Sequence, residues 1–344
     1  MNRNTILRFT FVLLTFLCCA FFSGCKENDS SKNTGLPASG PTELAASGQS
    51  GKTGSGKSNQ SGGKKSEKKD LPLRDNTPKV LTPSADGTVT YGSDLVSIDA
   101  SNTGEGYVMV RYTGNNPKVK LQIVTPDGNK YTYLLSQEKE YETFPLPSGD
   151  GAYTLTVYEN VTDDKYTVAC AQEIDVKIRD EFLPFLYPNQ YVSFTAASKT
   201  VALGEEVSEG ACSDLDVVTG IYHYVTGHIT YDTDKAENVT YGYLPDIDET
   251  IASGKGICFD YASVMSAMLR SQNIPTKLEV GYAGEAYHAW ISVYLEDAGW
   301  VDNVIQFDGK NWSLMDPTFA ASGNNKALKE FIGDGSNYVV KYSY

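Results

Sequence analysis

The stretch "SGKGICFDYASVMSAMLR", residues 253–270, decides how the C-terminal half of the chain is interpreted. Apolar residues recur at helical spacing after Cys258, so we predict a buried helix that begins near this cysteine. Helix N-terminal amides stabilise a thiolate, which lowers the pKa of such a cysteine. Gly254 and Gly256 can adopt backbone conformations closed to other residues and leave room for a substrate backbone. Cys258 is either a nucleophile or, like most lone buried cysteines, a packing residue.

Two later residues favour the nucleophile. His288 begins the predicted strand "HAWISVYL", and alternation places it on one face with Trp290. Asp316 ends another predicted strand, in "MDPT". If these strands are neighbours, Asp316 can hold the imidazole of His288, whose other nitrogen then faces Cys258. Each residue alone also fits an ordinary core, surface or turn position, but the three together match the nucleophile, base and orienting group of thiol catalysis.

The three blocks "GKGICFDYASVMSAMLRSQNIPTKLEVGYA", "HAWISVYL" and "WSLMDPTF" resemble the transglutaminase-like superfamily, which has a papain-related fold. The resemblance covers about residues 210–320. It implies that Cys258 is the nucleophile, His288 the general base and acid, and Asp316 the residue that orients the imidazole. It also implies acyl chemistry on an amide, through a tetrahedral oxyanion and a thioester.

The resemblance further implies two donors to the oxyanion. The backbone N–H of Cys258 would be one. An upstream aromatic side chain is usual as the second, and we prefer Tyr231, in "HITYD", with Tyr222 as the alternative. Trp290 either walls the site and shields it from water or simply packs in the sheet.

The N-terminus is interpreted as a processing signal. Two arginines precede the apolar run "FTFVLLTFLCCAFF", which is too short for a comfortable membrane span. The following "FSGC" resembles a bacterial lipobox, although Phe22 stands where leucine is usual. We therefore expect residues 1–25 to be a signal peptide that ends at a lipid-modified Cys25, and the protein to be extracytoplasmic and anchored to the bacterial cell membrane. The alternative is a secretory signal cleaved nearby.

The rest of the chain divides by composition and hydrophobic pattern. Residues 26–78 are rich in Gly, Ser and Lys and predict a flexible linker. Several alternating apolar runs, with an Asp-Gly hairpin signal in "PDGN", predict a small β-sandwich over 79–181. Residues 182–209 form an aromatic connector. Helices followed by an antiparallel sheet predict an α+β, papain-like transglutaminase core over 210–344.

The charge and the spacing of potential metal ligands limit the classes of partner and cofactor that we expect. The net charge is −14 although residues 26–75 are net basic, so the predicted folded part is strongly acidic. Such a surface argues against nucleic acid as a partner. No stretch has the ligand spacing of a metal site, and we expect no cofactor. Cys170 and Cys212 form a disulfide or stay unpaired as buried thiols.

We therefore expect a cell-surface thiol enzyme that acts on protein or peptide amides. Hydrolysis is favoured over amine transfer, because transfer needs a shielded thioester and an amine site. The alternatives are a protein-crosslinking transglutaminase and a non-catalytic surface module that uses the same fold for binding. The sequence leaves the oligomeric state open.

Overall fold

The computed structural model describes residues 72–283, 286–302, 305–307, 312–314 and 338–344. Cys25 and Asp316 lie outside these residues. Within the described ranges, no helix has the length and apolar character needed to cross a bilayer.

Eight strands form a sandwich of two antiparallel sheets, as the alternating runs predicted. In chain order they are β1 (Thr90–Gly92), β2 (Val96–Asp99), β3 (Tyr107–Tyr112), β4 (Val119–Val124), β5 (Lys130–Leu134), β6 (Glu142–Pro145), β7 (Gly151–Thr162) and β8 (Lys165–Val176). One sheet has the strand order β1-β2-β3-β6 and the other β5-β4-β7-β8. Short β1, β2 and β6 were not predicted.

Alternation in the strands places the sandwich core. In β4, Val119, Leu121 and Ile123 are buried while the residues between them are half-exposed. Each sheet contributes side chains to one hydrophobic core, and the rings of Tyr133 and Phe144 meet across it at 4.8 Å. The β4–β5 hairpin turns where the Asp-Gly pair was found.

The described residues form five α-helices, the first of which lies within the predicted connector: α1 (Lys199–Val207), α2 (Asp214–His228), α3 (Thr233–Asn238), α4 (Ile247–Ser253) and α5 (Cys258–Ser271). The predicted α2 and α5 are confirmed. Short α3 and α4 each begin after an aspartate, Asp232 and Asp246, whose carboxylate accepts a backbone N–H of the first turn. These caps satisfy groups that a two-turn helix cannot pair internally.

The remaining strands are β9 (Thr230–Tyr231), β10 (Lys255–Gly256), β11 (Thr276–Ala283), β12 (Ala286–Leu295), β13 (Gly299–Val301), β14 (Ile305–Phe307), β15 (Trp312–Leu314) and β16 (Tyr338–Ser343). An antiparallel sheet has the order β13-β12-β11-β16, so the tail joins the sheet as expected. Strands β9 and β10 form a separate parallel pair. Together with α5, this pair and β12 position the candidate site.

The sandwich and the helical region pack against each other. The ring of Tyr344 contacts Tyr131 and Tyr133 of the sandwich and Tyr191 of the connector. Residues at the end of the predicted linker also join this body, since the Nε of Arg74 lies 2.6 Å from Asp214. The described sandwich therefore contacts the region that carries the nucleophile.

Candidate active site

Helix α5 presents Cys258 at its first turn, as the sequence predicted. The preceding strand β10 pairs with β9, which places Gly256 beside Tyr231. The Asp232 N–H donates to the Gly256 carbonyl at 2.9 Å and fixes that register. Tyr231 is therefore held next to the chain segment that leads into the nucleophile.

The sulfur of Cys258 lies against strand β12. The backbone N–H groups of Ala289 and Phe259 lie close enough to it to lower the pKa of the thiol. Ala289 directly follows His288 in the strand, so the structure brings together the cysteine and histidine that the sequence paired. This juxtaposition depends on packing between the start of α5 and β12.

The expected low thiol pKa is wrong for the resting site. Burial raises the pKa of Cys258 to about 11, and the nearby Asp260 carboxylate raises it further. The surrounding N–H groups lower the pKa, but desolvation of the thiolate outweighs them. A helix start indicates the N–H groups that lower the pKa of the thiol, but it does not reveal the burial that raises this pKa by more.

His288 lies in a similarly dry environment. Its side chain is largely buried, and burial lowers the pKa of the imidazole to about 4. The buried Nε2 has no hydrogen-bond partner among the described residues. The resting pair is therefore a neutral thiol and a neutral imidazole with one ring nitrogen available.

Trp290 lies beneath the histidine. Its ring stacks with His288 at a centroid distance of 6.2 Å and is almost fully buried. The indole N–H donates to Glu279 Oε2 at 2.8 Å, and the Ser292 hydroxyl donates to the same oxygen. Trp290 thus packs within the sheet, next to the imidazole. The sequence reading missed Glu279, which belongs to the neighbouring strand.

The two candidates for the second oxyanion donor occupy different places. Tyr231 interacts electrostatically with Cys258, and burial raises the pKa of its phenol to about 12. Its hydroxyl thus stays protonated and able to donate at neutral pH. Tyr222 is buried on α2 as part of the hydrophobic core. Tyr231 is therefore near the thiol, and the assignment of the second donor stays a prediction.

A buried polar network supports the start of α5. The Asp260 carboxylate, which has no exposed surface, accepts from Lys235 Nζ at 2.7 Å and from the Tyr243 hydroxyl at 2.5 Å. It also accepts the Ile257 N–H at 2.7 Å, which completes a cap on the helix. The network fixes the residues immediately around Cys258. Only its Asp had a sequence signal, an acidic residue in the first helical turn.

The two glycines before Cys258 have different roles. Gly254 has φ +63° and ends α4 in the left-handed conformation, as its flexibility suggested. Gly256 instead makes room for Asp260, because a Cβ at this position would lie 2.7 Å from the Asp260 Cβ. Packing against Asp260 thus requires a glycine here, and room for a substrate backbone stays a prediction.

Aromatic side chains surround the start of the helix. Phe259, adjacent to the nucleophile, contacts Tyr191 at a centroid distance of 5.3 Å and Tyr243 at 6.5 Å. Tyr287, beside His288, is 38% exposed and interacts electrostatically with the thiol. The surface near the sulfur is therefore rich in rings and suited to apolar side chains.

The structure also bears on the predicted cysteine pairing and metal ligands. No disulfide joins the described cysteines Cys170, Cys212 and Cys258. No cluster of three potential metal-ligating side chains occurs in the part of the chain that the structure describes. The third member of the predicted triad, Asp316, lies outside the described residues, as does Cys25.

Comparisons with known proteins agree with this architecture. Residues 201–303 match the model of the transglutaminase-like superfamily. The chain is 23% identical over 250 residues to UPF0252 protein MJ1282 of Methanocaldococcus jannaschii, covering 65% of this chain and 69% of that protein.

Two solved structures show weak overall likeness. A candidate cysteine protease from Cytophaga hutchinsonii matches with a TM-score of 0.30 and 14% identity, over 67% of this chain and 69% of that one. Red sea bream transglutaminase matches with a TM-score of 0.27 and 14% identity, over 62% and 48%. The family match spans Cys258 and His288 and coincides with the observed helices and sheet. Residues 201–303 form a domain of the transglutaminase-like superfamily.

Proposed function

We propose that this protein is a thiol enzyme that uses Cys258, His288 and Asp316 for acyl chemistry on protein or peptide amides. The observation that carries the proposal is that the Cys258 sulfur lies close enough to the backbone N–H of Ala289, the residue after His288, for that group to lower the pKa of the thiol. A nucleophile and a neutral base at one buried position are the parts that thioester formation requires.

The neutral resting pair implies general-base catalysis. His288 takes the thiol proton as the sulfur attacks the amide carbon, and the resulting imidazolium then donates that proton to the leaving amine. Asp316 would orient the ring and stabilise its charged form. Because Nε2 has no partner among the described residues, this atom is available for the carboxylate or for the substrate.

The oxyanion that forms on attack needs donors already in place. The backbone N–H of Cys258 lies in the first helical turn, where amides have no intrahelical acceptor. The Tyr231 hydroxyl would be the second donor, since its raised pKa keeps the proton on oxygen. Water would then attack the thioester and release the acid.

A peptide library tests both activity and acceptor. Wild-type protein and Cys258→Ala are incubated with the library, with and without cadaverine, and products are identified by mass spectrometry. We expect cleaved or deamidated peptides with the wild type only. Cadaverine adducts would favour the crosslinking alternative. Identical product profiles for the two proteins would contradict catalysis and favour a non-catalytic binding module.

We also propose that the protein is exported and held at the bacterial membrane by a lipid on Cys25, where it would meet its protein substrate. The apolar run and "SGC" sequence before the Gly/Ser/Lys-rich segment support this location. Cys25→Ala is expected to release the protein or block its maturation. Unchanged membrane association of that variant would contradict the anchor.

A further inference from the structure

One patch on the β-sandwich continues toward the nucleophile. We define the Tyr241 patch as Lys120, Tyr166, Val168 and Tyr241, of which the first three belong to the sandwich. Lys120 Nζ lies 4.2 Å from the centroid of Tyr166 and 5.8 Å from that of Tyr241. Its cation thus joins a ring of the sandwich to a ring from the loop between α3 and α4.

The patch is exposed and apolar. Tyr241 is 59% exposed and Val168 is 56% exposed, although both are large hydrophobic side chains. Val161, at the end of the same β7–β8 hairpin, is 65% exposed. Single exposed apolar residues are common, whereas several grouped beside a reactive site point to a binding surface.

The segment Tyr241–Gly242–Tyr243 connects this patch to the active site. At one end Tyr241 meets Lys120, and at the other Tyr243 donates to Asp260, two residues after the nucleophile. Gly242 has φ +87° and lies against the sandwich, where an added Cβ would come within 2.5 Å of Leu134 Cδ1. The Cα atoms of Tyr241 and Tyr243 are at most about 7.6 Å apart, so this three-residue segment links the patch to the network beside the nucleophile.

We propose that the Tyr241 patch binds the acyl-donor polypeptide through an aromatic or large apolar side chain a few residues from the reacting amide. The inference rests on the proposed function and assigns the sandwich a role in substrate selection. The ring of Tyr243 contacts that of Phe259, the residue after the nucleophile, at a centroid distance of 6.5 Å, so an aromatic contact continues from this segment to the nucleophile.

The chemistry of the patch favours a polypeptide over a glycan. Val168 and Tyr241 offer exposed apolar surface that an aromatic or large apolar side chain of a polypeptide can bury. Strand β8 is also the edge of its sheet in the described structure, pairing only with β7. The outward backbone groups of an edge strand pair naturally with an extended peptide.

Alkylation of Cys258 by peptides tests the proposal without requiring turnover. Iodoacetyl-capped octapeptides with Phe or Gly at successive positions are compared with iodoacetamide, and rates are followed by intact-protein mass spectrometry. For wild type we expect Phe at one position to accelerate labelling over the Gly peptide. Tyr241→Ala and Tyr166→Ala should each reduce that rate roughly two- to tenfold, the size of one aromatic contact. Their rates with iodoacetamide should not change.

Tyr91→Ala is the matched control. Tyr91 is 37% exposed on strand β1 of the other sheet and lies outside the patch. Its removal should leave both rates unchanged. Equal rates for Phe and Gly peptides in wild type, or Phe-peptide rates unaffected by both patch substitutions, would overturn the proposal.

A binding measurement separates this proposal from the proposed function. Fluorescence anisotropy of labelled, uncapped Phe and Gly peptides is measured on Cys258→Ala, which has no nucleophile. Tighter binding of the Phe peptide that is lost in Cys258→Ala/Tyr241→Ala supports the patch even if the wild type shows no activity. Binding of chitotetraose that depends on Tyr241, without any peptide binding, would overturn the polypeptide assignment.

Discussion

The two polar groups on either side of the nucleophile differ in how completely they are paired. Asp260, after Cys258, has acceptor oxygens that are used by an amine, a phenol and a backbone N–H. His288, across from it, keeps a buried Nε2 with no partner among the described residues. A fully paired buried charge resists change, whereas an unpaired imidazole can accept a proton or a new partner.

This difference in pairing distinguishes a structural role for Asp260 from a catalytic role for His288. The Asp260 network holds the start of α5, so that the sulfur stays at β12. The His288 side carries the group whose protonation state changes during the reaction. A mutation on the first side should therefore act mainly on stability, and one on the second side mainly on rate.

The largest expected effect is on the His288 side. His288→Asn retains a polar side chain and removes the base, so the proposed hydrolysis should fall by about 10²- to 10⁴-fold. The free energy of unfolding at neutral pH should change little, because the imidazole is neutral there and its Nε2 has no partner to lose among the described residues. Initial rates and urea denaturation measure the two quantities. If His288→Asn instead lowered the free energy of unfolding strongly and left the specific activity of the folded protein unchanged, His288 would be a structural residue and not the base.

Loss of the amine that pairs with Asp260 should act on stability. Lys235→Met leaves the buried Asp260 carboxylate without its cation, and we expect the free energy of unfolding to fall by about 2–3 kcal/mol. Lys177→Met, which breaks the exposed ion pair with Asp150, is the matched control and should leave the urea midpoint unchanged. Equal midpoints for the two variants would show that the Asp260 network is not a stabilising element.

Tyr231 is expected to act on the reaction rate, although the pairing of β9 with β10 holds it on the Asp260 side of the nucleophile. Tyr231→Phe removes only the hydroxyl, so kcat should fall by about 10²- to 10³-fold if this group donates to the oxyanion. KM should change less than kcat, because the donor acts mainly in the transition state. Tyr222→Phe serves as the comparison and should have a small effect on kcat. A larger loss in Tyr222→Phe would transfer the role to that residue.

Trp290 should give the smallest effect of the series. Trp290→Phe keeps a ring beneath His288 and loses the hydrogen bond to Glu279. Glu279 Oε2 would lose one of its two described donors and keep the Ser292 hydroxyl, so we expect a loss of about 1–2 kcal/mol of unfolding free energy, with a minor change in rate. Glu279→Gln keeps a neutral acceptor for the Trp290 N–H and should cost less unfolding free energy. Urea denaturation of both variants measures the two losses of unfolding free energy. An equal or larger loss in Glu279→Gln would contradict this order.

Local patterns predicted much of this site, and nonlocal contacts account for the rest. Cys258 and His288 were identified because a helix start and an alternating strand are visible in sequence. The raised pKa of Cys258 was not, since desolvation depends on the whole surroundings of the sulfur. The partners of Asp260 were missed for the same reason, because Lys235 comes from α3 and meets it only after folding.

The fold shows the same division. Strands with clear alternation and a hairpin signal were found, and long helices with an apolar stripe were found. Strands β1, β2 and β6 have three or four residues each, too few to show a period. Short α3 and α4 depend on aspartate caps and on packing, which one sequence reveals poorly.

The pH dependence of Cys258 alkylation by iodoacetamide tests the thiol–imidazole pair most directly. Neutral His288 should assist the reaction, so labelling of wild type should already be substantial at pH 6 and decline only as the imidazole protonates near pH 4. A second rise should follow as the thiol ionises near pH 11, and His288→Asn should retain only this rise. A wild-type profile with one half-point near 8.5, the value of an ordinary thiol, and unaffected by His288→Asn would contradict the pair.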